Sequence, residues 1–388
     1  MLRKLNIGNI FFLSLLVCNV ALNGLGLGAT LQYLPLMIMY LFVIFQSDFF
    51  YSNKNKIIGL LVICVISFIS HDILVAKDVF IYFLGFICIP YIYRMGFNYK
   101  LCYLYVVFIM LFYLVLHYQS VHYLPYDHSV NVYGAQGFTK HYTGNIGCLI
   151  FFAALFDLHY RCDHIAKNNI KSIFILLFGL YLIFFSTARS VWGALILACI
   201  LLFFNRNRYR PILSCVFFCF ANVFVYFMEN ISLLADVLEK SDFISYYAGT
   251  HNFGSYGVTS GRAWLWNLHW EIFLSHPFLG GGRELTDFRV HDYISWLGED
   301  AKAGSESVFT SFIACNGLIG VIQIMVAVLL FYHAVQRKNV FATVISSFII
   351  FSTTMGDFLV YLRHEGVLLY AMYCTSINME KKLNVKSK

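Results

Sequence analysis

The sequence predicts an all-α integral membrane protein with about twelve transmembrane helices (ten to twelve) and one large extracytoplasmic loop containing short helices. Three observations carry that expectation. Of the 388 residues, 60% are hydrophobic and only 12% charged, with a mean hydropathy of +0.71. A soluble domain of this size carries about a quarter of its residues as charges to cover its surface. The apolar residues also fall in continuous runs close to the length of about 20 that crosses the bilayer core as a helix. A β-barrel would instead alternate in ten-residue segments. Finally, the basic residues cluster between these runs, as in Lys54 with Lys56, Arg206 with Arg208 and Arg210, and Arg337 with Lys338. That is the distribution of cytoplasmic loops, not of a face that tracks phosphates, so the net charge of +7 does not indicate a nucleic-acid partner.

In chain order the runs are 7–25, 29–47, 57–75, 78–94, 101–118, 143–160, 170–187, 190–205, 211–228, 307–332, 340–356 and 358–376. The first follows Met1-Leu-Arg-Lys and reads as a retained signal-anchor, since many spans come after it. With both termini cytoplasmic, 18 of the 27 basic residues lie on the inner side, at every inner loop and tail. This satisfies the positive-inside rule. The chain is thus expected to be a single polytopic domain over 1–388. Its two long outer segments are 119–143, rich in Tyr, His and Gly, and 229–306, the largest polar region. Most of the eleven cysteines lie in apolar runs and neither long outer segment holds one. No disulfide framework, zinc site or other metal site is implied, and packing is their expected role. Long loops between membrane helices commonly carry function, so chemistry is expected to face outward.

The outer segments hold several candidate residues. In 229–306, Thr259 or Ser260 can cap a helix whose body is Ala263–Leu274, ending before Pro277. Trp266, Trp270 and Phe273 fall at i, i+4 and i+7, an aromatic stripe suited to the membrane interface. Arg262 sits in the first turn, where a cation opposes the helix dipole at a cost of roughly 0.3–1 kcal/mol. It is either a solvated or headgroup-bound arginine or, with the free backbone N–H groups, an anion receptor. Arg189 repeats the pattern in "FFSTARSVW", with Ser186 or Thr187 as caps; the alternative is an interfacial anchor. Glu306 opens the run that begins "ESVFTSF", with Ser305 as a possible cap. A carboxylate there is stabilising in its own right, and convergence with the two arginines on one anion is the functional alternative.

Other polar groups lie close by in the sequence. "GGGRE" at 280–284 lacks the strand–helix context of a dinucleotide fingerprint. Its glycines, Gly281 among them, fit a turn whose N–H groups approach a ligand, while His276, Arg283 and Arg289 add polarity and positive charge. In the last run, Asp357, Arg363, His364 and Glu365 lie in or beside the apolar layer, where each charge costs at least roughly 2.5–3.5 kcal/mol. They form either a salt-bridged scaffold or part of a substrate cleft.

Three segments, "STARSVWGALI", "SGRAWLWNLHWEIFLSHPFLGGG" and "ESVFTSFIACNGLIG", occur here in the order found in the O-antigen polymerase and O-antigen ligase superfamily, which the chain resembles best over 172–335. The middle segment is the most specific. The resemblance implies a GT-C-like, metal-independent, inverting glycosyltransferase without a cofactor, acting at the periplasmic face of the bacterial inner membrane. It implies undecaprenyl-pyrophosphate-linked oligosaccharide as the substrate, and the bilayer and a chain-length regulator membrane protein as partners. Arg189 and Arg262 match the family's functional arginines, whose implied role is to bind the lipid pyrophosphate. Ligases open the third segment with a His-Asn pair. Here Glu306-Ser307 stands in that place, which resembles the polymerase branch and makes Glu306 the candidate for orienting or deprotonating the acceptor sugar. His276 or His291 would be the substitutes in a ligase-type mechanism. The readings that compete with polymerase are ligase and a flippase of lipid-linked oligosaccharide. A flippase should show related halves, and none is visible.

Overall fold

The computed structural model describes residues 29–70, 73–94, 140–160, 166–186, 189–203, 262–296, 308–355 and 364–386. They form helices α1 (Ala29–Ile44), α2 (Ser47–Ser70), α3 (Ile73–Arg94), α4 (Lys140–Tyr160), α5 (Ala166–Ser186), α6 (Arg189–Phe203), α7 (Arg262–Ser275), α8 (Gly282–Trp296), α9 (Val308–Asn316), α10 (Leu318–Gln336), α11 (Val340–Met355) and α12 (His364–Lys386). No strand occurs among the described residues. The expected spans 7–25, 101–118 and 211–228 lie outside them, as do residues 119–139 of the first outer segment.

Among the described residues, two helices are long and apolar enough to cross a membrane, over Asp48–Ser70 and Leu318–Gln336, and shorter apolar helices cover Leu34–Ile44, Gly144–Leu158, Ile170–Phe184 and Val340–Ser352. On α5 the residues Ile170, Ile173, Phe174, Leu177, Tyr181 and Phe184 are exposed, whereas Ser172 is buried. An outward stripe at helical spacing that is apolar throughout, with a polar residue inside, is what a lipid-facing helix presents.

Several boundaries depart from the sequence expectation. Helix α2 begins ten residues before the expected span at 57 and takes in Lys54 and Lys56, because Asp48 supports its first turn and Phe49 anchors it in the core. Helix α12 starts at His364 and continues to Lys386, beyond the apolar layer. The expected span 307–332 is two helices, broken at Gly317, whose φ of +55° is unfavourable for any residue with a Cβ.

The chain divides into two compact units, 1–59 with 81–192 and 359–388, and 60–80 with 193–358. In the first, α4 and α5 cross at glycines. A Cβ on Gly179 would stand 2.8 Å from the Phe151 amide nitrogen, and one on Gly147 would stand 2.9 Å from the Gly179 carbonyl oxygen. Small residues permit this backbone approach, as at helix crossings in lipid. Ser172 Oγ donates to Asp157 Oδ2 at 2.6 Å, inside the same pair. Helix α12 packs on α4, and Tyr370 stacks on Phe86.

In the second unit α11 is enclosed, every residue from 341 to 352 being buried. It joins α10 through a tight turn. The Arg337 and Asn339 amides donate to His333 and Ala334 carbonyls, Lys338 takes a φ of +54°, and Asn339 Oδ1 accepts the Ala342 amide at 2.7 Å. Asparagine is favoured in this capping role.

Candidate active site

Helix α7 begins at Arg262 itself, with Trp266, His269 and Ile272 buried and Trp270 and Leu274 exposed. Steps of three and four residues keep 266, 269 and 272 on one face, and Arg262 lies one turn before Trp266 in the same register. The expected aromatic stripe therefore splits. Trp266 belongs to the protein interior, while Trp270, in ring contact with Phe273, heads an outward apolar surface that continues with Leu274 and Phe278. The 100° rotation per residue cannot put 266 and 270 on opposite faces, but 40° of offset suffices at the edge of a buried stripe.

Helix α7 and the turn after it are tied to α9 and the start of α10 at three points. His269 meets Thr310, and beyond the end of α7 the Gly281 amide donates to the Ala314 carbonyl at 2.8 Å and the Leu318 amide to Phe278 at 3.1 Å. Glu306, two residues before α9, lies outside the described residues, as do the proposed caps Thr259, Ser260 and Ser305.

The glycines make this docking possible. Gly280 and Gly282 have φ of +81° and +75°. A Cβ on Gly280 would run into the Cys315 carbonyl, one on Gly317 would stand 2.5 Å from the Gly280 amide nitrogen, and one on Gly320 would meet the Phe312 carbonyl. The close approach expected of "GGG" is therefore to another stretch of backbone, and the amide of Gly281 is engaged by Ala314. "HPFLGGG" and "NGLIG" are two halves of one joint.

His269 is fully enclosed at 0% exposure. Its Nδ1 shares a hydrogen bond of 2.9 Å with Thr310 Oγ1 in the first turn of α9. Nε2 is buried with no hydrogen-bond partner among the described residues. Burial disfavours the imidazolium and pulls the pKa down to about 4 from 6.5. Sequence reasoning considered His276 and His291 and missed this histidine. The available signal was its register with Arg262 and Trp266; its partner, 41 residues away, was not readable.

The remaining candidates are spread over both units. Helix α6 begins at Arg189, in the first unit, and its start is tied to the end of α5. Trp192 Nε1 donates to the Ile183 carbonyl at 2.7 Å, and its ring lies against Phe184. The motif tryptophan thus sets where the helix bearing Arg189 begins. Arg283 is exposed and pairs with Asp287 at 3.4 Å, one turn along α8; Arg289 is exposed on the same helix. His276 is exposed, with Nδ1 3.0 Å from Ser275 Oγ. His364 opens α12, and Arg363, Asp357 and the cap Thr187 lie outside the described residues. Among the described residues no group of three or more His, Cys, Asp or Glu side chains is placed to hold a metal.

No curated protein matches the chain. Residues 174–325, which include Arg189, Arg262, His269 and the glycine joint, match the family described as O-antigen ligase. That match places the chain's similarity in the O-antigen polymerase/ligase superfamily, membrane enzymes of lipopolysaccharide synthesis, without separating the two branches.

Proposed function

We propose that the protein is an O-antigen polymerase, an inverting glycosyltransferase of the inner membrane with its site facing the periplasm and both termini in the cytoplasm. The observation that supports an anion site is that α7 starts at Arg262, inside the matched segment. Helix N-termini and guanidinium groups both favour anions. The presence of Glu306-Ser307 where ligases carry His-Asn supports the polymerase branch.

The donor is the growing glycan on undecaprenyl pyrophosphate, and the acceptor is the non-reducing-end sugar of a lipid-linked repeat unit. Arg189 and Arg262 bind the pyrophosphate, with Arg283, Arg289, Arg363 and His364 adding positive potential. The acceptor hydroxyl attacks the anomeric carbon from the face opposite the pyrophosphate. The new glycosidic bond forms as the carbon–oxygen bond to pyrophosphate breaks, and the hydroxyl proton passes to the Glu306 carboxylate. Pyrophosphate leaves as a stable anion and needs little protonation, so charge neutralisation by the arginines supplies much of the catalysis. A chain-length regulator membrane protein would be a natural partner.

The test is deletion and complementation in the native host, with the lipopolysaccharide ladder read on a gel. A polymerase deletion leaves core capped with a single repeat unit. Core without any repeat unit would point to ligase or flippase instead.

A further inference from the structure

We propose that α7 lies along the membrane surface, with Trp270, Leu274, Phe278 and Leu279 inserted into the interfacial layer of the leaflet at the Leu318 end of α10. This placement goes beyond the glycosyl-transfer reading and needs only that α10 crosses the bilayer. Helix α10 has 19 residues, about 28 Å at 1.5 Å per residue, which matches a hydrocarbon core of about 30 Å with no length to spare. Its exposed residues Leu318, Ile322, Met325, Leu329 and Tyr332 follow one stripe along the whole helix. Arg337 and Lys338 are exposed just past its C-terminal end. Leu318 therefore sits at the boundary of the core opposite this basic pair. Its amide donates to the Phe278 carbonyl at 3.1 Å, which fixes the turn after α7 at the same depth. Phe278 is 76% exposed there.

Helix α7 divides its surface three ways. Trp266, His269 and Ile272 face the protein interior, Trp270 and Leu274 form an exposed apolar edge, and Asn267, Glu271 and Ser275 form an exposed polar edge. At 100° per residue the apolar pair lies within about 40° of arc and the polar three within about 80°. A helix crossing the core would carry no polar edge, and a helix in water would gain nothing from the apolar one. Interior, apolar and polar faces together suit a helix lying along the boundary, where an indole is at home at headgroup level. The apolar edge runs on through Phe278 and Leu279 to Leu318, so it is continuous with the lipid-facing stripe of α10. It stops at α8, which exposes Arg283, Glu284, Asp287, Arg289 and Asp292, with Phe288 among them.

The full chain is reconstituted into vesicles of phosphatidylethanolamine and phosphatidylglycerol. Photoreactive p-benzoylphenylalanine replaces Phe278, Met325 in the middle of α10, or Asp287 on α8, one position per variant. The mass of the intact protein is read after irradiation. The Phe278 and Met325 variants are expected to gain the mass of a phospholipid, and the Asp287 variant to gain none. Independently, the emission lost on Trp270→Phe is expected to be quenched by phospholipids brominated on the acyl chain. Bromines near the headgroup should quench it more than bromines near the chain end.

A Phe278 variant that captures nothing, or that captures a second copy of the chain, while Met325 captures lipid overturns the placement of α7. So does lipid captured equally at Asp287, or Trp270 emission that brominated lipids leave untouched. Without lipid on Met325, α10 is not a span, and its membrane placement falls together with that of α7. Failure of the glycosyl-transfer reading in the lipopolysaccharide ladder moves none of these readouts.

Discussion

Gly280 and Gly317 meet backbone to backbone, both at positive φ, so closely that a Cβ on Gly317 would lie 2.5 Å from the Gly280 amide nitrogen. Neither neighbour can yield, because the adjoining amides are already bonded, Gly281 to Ala314 and Leu318 to Phe278. Gly317→Ala and Gly280→Ala should each cost about 2–5 kcal/mol, combining a strained backbone with overpacking. Gly59→Ala is the control, since a Cβ there meets nothing within 4 Å. Dye-monitored thermal unfolding in detergent should show a lowered midpoint for the first two and none for the third. A Gly317→Ala midpoint equal to wild type would contradict the joint.

Arg189→Ala and Arg262→Ala should abolish long chains in the lipopolysaccharide ladder while immunoblots show unchanged protein. The corresponding lysine variants should give short ladders, because an ammonium keeps the charge but loses the planar fork that matches a pyrophosphate. Wild-type ladders from both alanine variants would remove the pyrophosphate role.

Glu306→Gln keeps the shape and removes the base. Turnover on extracted lipid-linked repeat unit should fall by about 10²- to 10⁴-fold, with binding of the lipid-linked donor unchanged. A glutamine variant with full turnover would assign proton removal elsewhere.

His269 makes stability depend on acid. Its folded pKa, about 4, lies below the unfolded value of 6.5, so between these values the unfolded chain takes up a proton that the folded protein refuses. Stability is full above pH 6.5, declines as pH falls toward 4, and levels off below that. The whole effect is about 3 kcal/mol. Thermal midpoints measured from pH 7.5 to 4 should show this slope in wild type and a shallower one in His269→Leu. Parallel slopes would mean the histidine is not enclosed.

Much of this was legible in the sequence. Apolar runs predicted helices that the structure shows, with α1, α4, α6 and α11 beginning within three residues of their expected starts, because hydrophobic length is a local property. The helix starts at Arg189 and Arg262 fall within one residue of the starts at 190 and 263 that the sequence suggested. The end of α7 before Pro277 follows the same logic.

Other features needed the tertiary structure. The apolar run through 307–332 carries no sign of a break, and Gly317 alone does not end a helix. The break is stabilised some 40 residues earlier, where the Phe278 carbonyl accepts the Leu318 amide and the backbone of Phe278 and Gly280 fills the space a Cβ on Gly317 would occupy. Trp266 and Trp270 are chemically alike and one turn apart; only tertiary packing buries the first and leaves the second exposed. His269 was hidden for the same reason. Nothing local distinguishes an enclosed imidazole from a surface one, and its meaning comes from Thr310 on a helix that the chain reaches only after passing through α8. Composition and periodicity determined where helices form, because those forces act between neighbours in sequence. Which side of a helix is enclosed, and which glycines touch, was decided by packing between segments far apart in the chain.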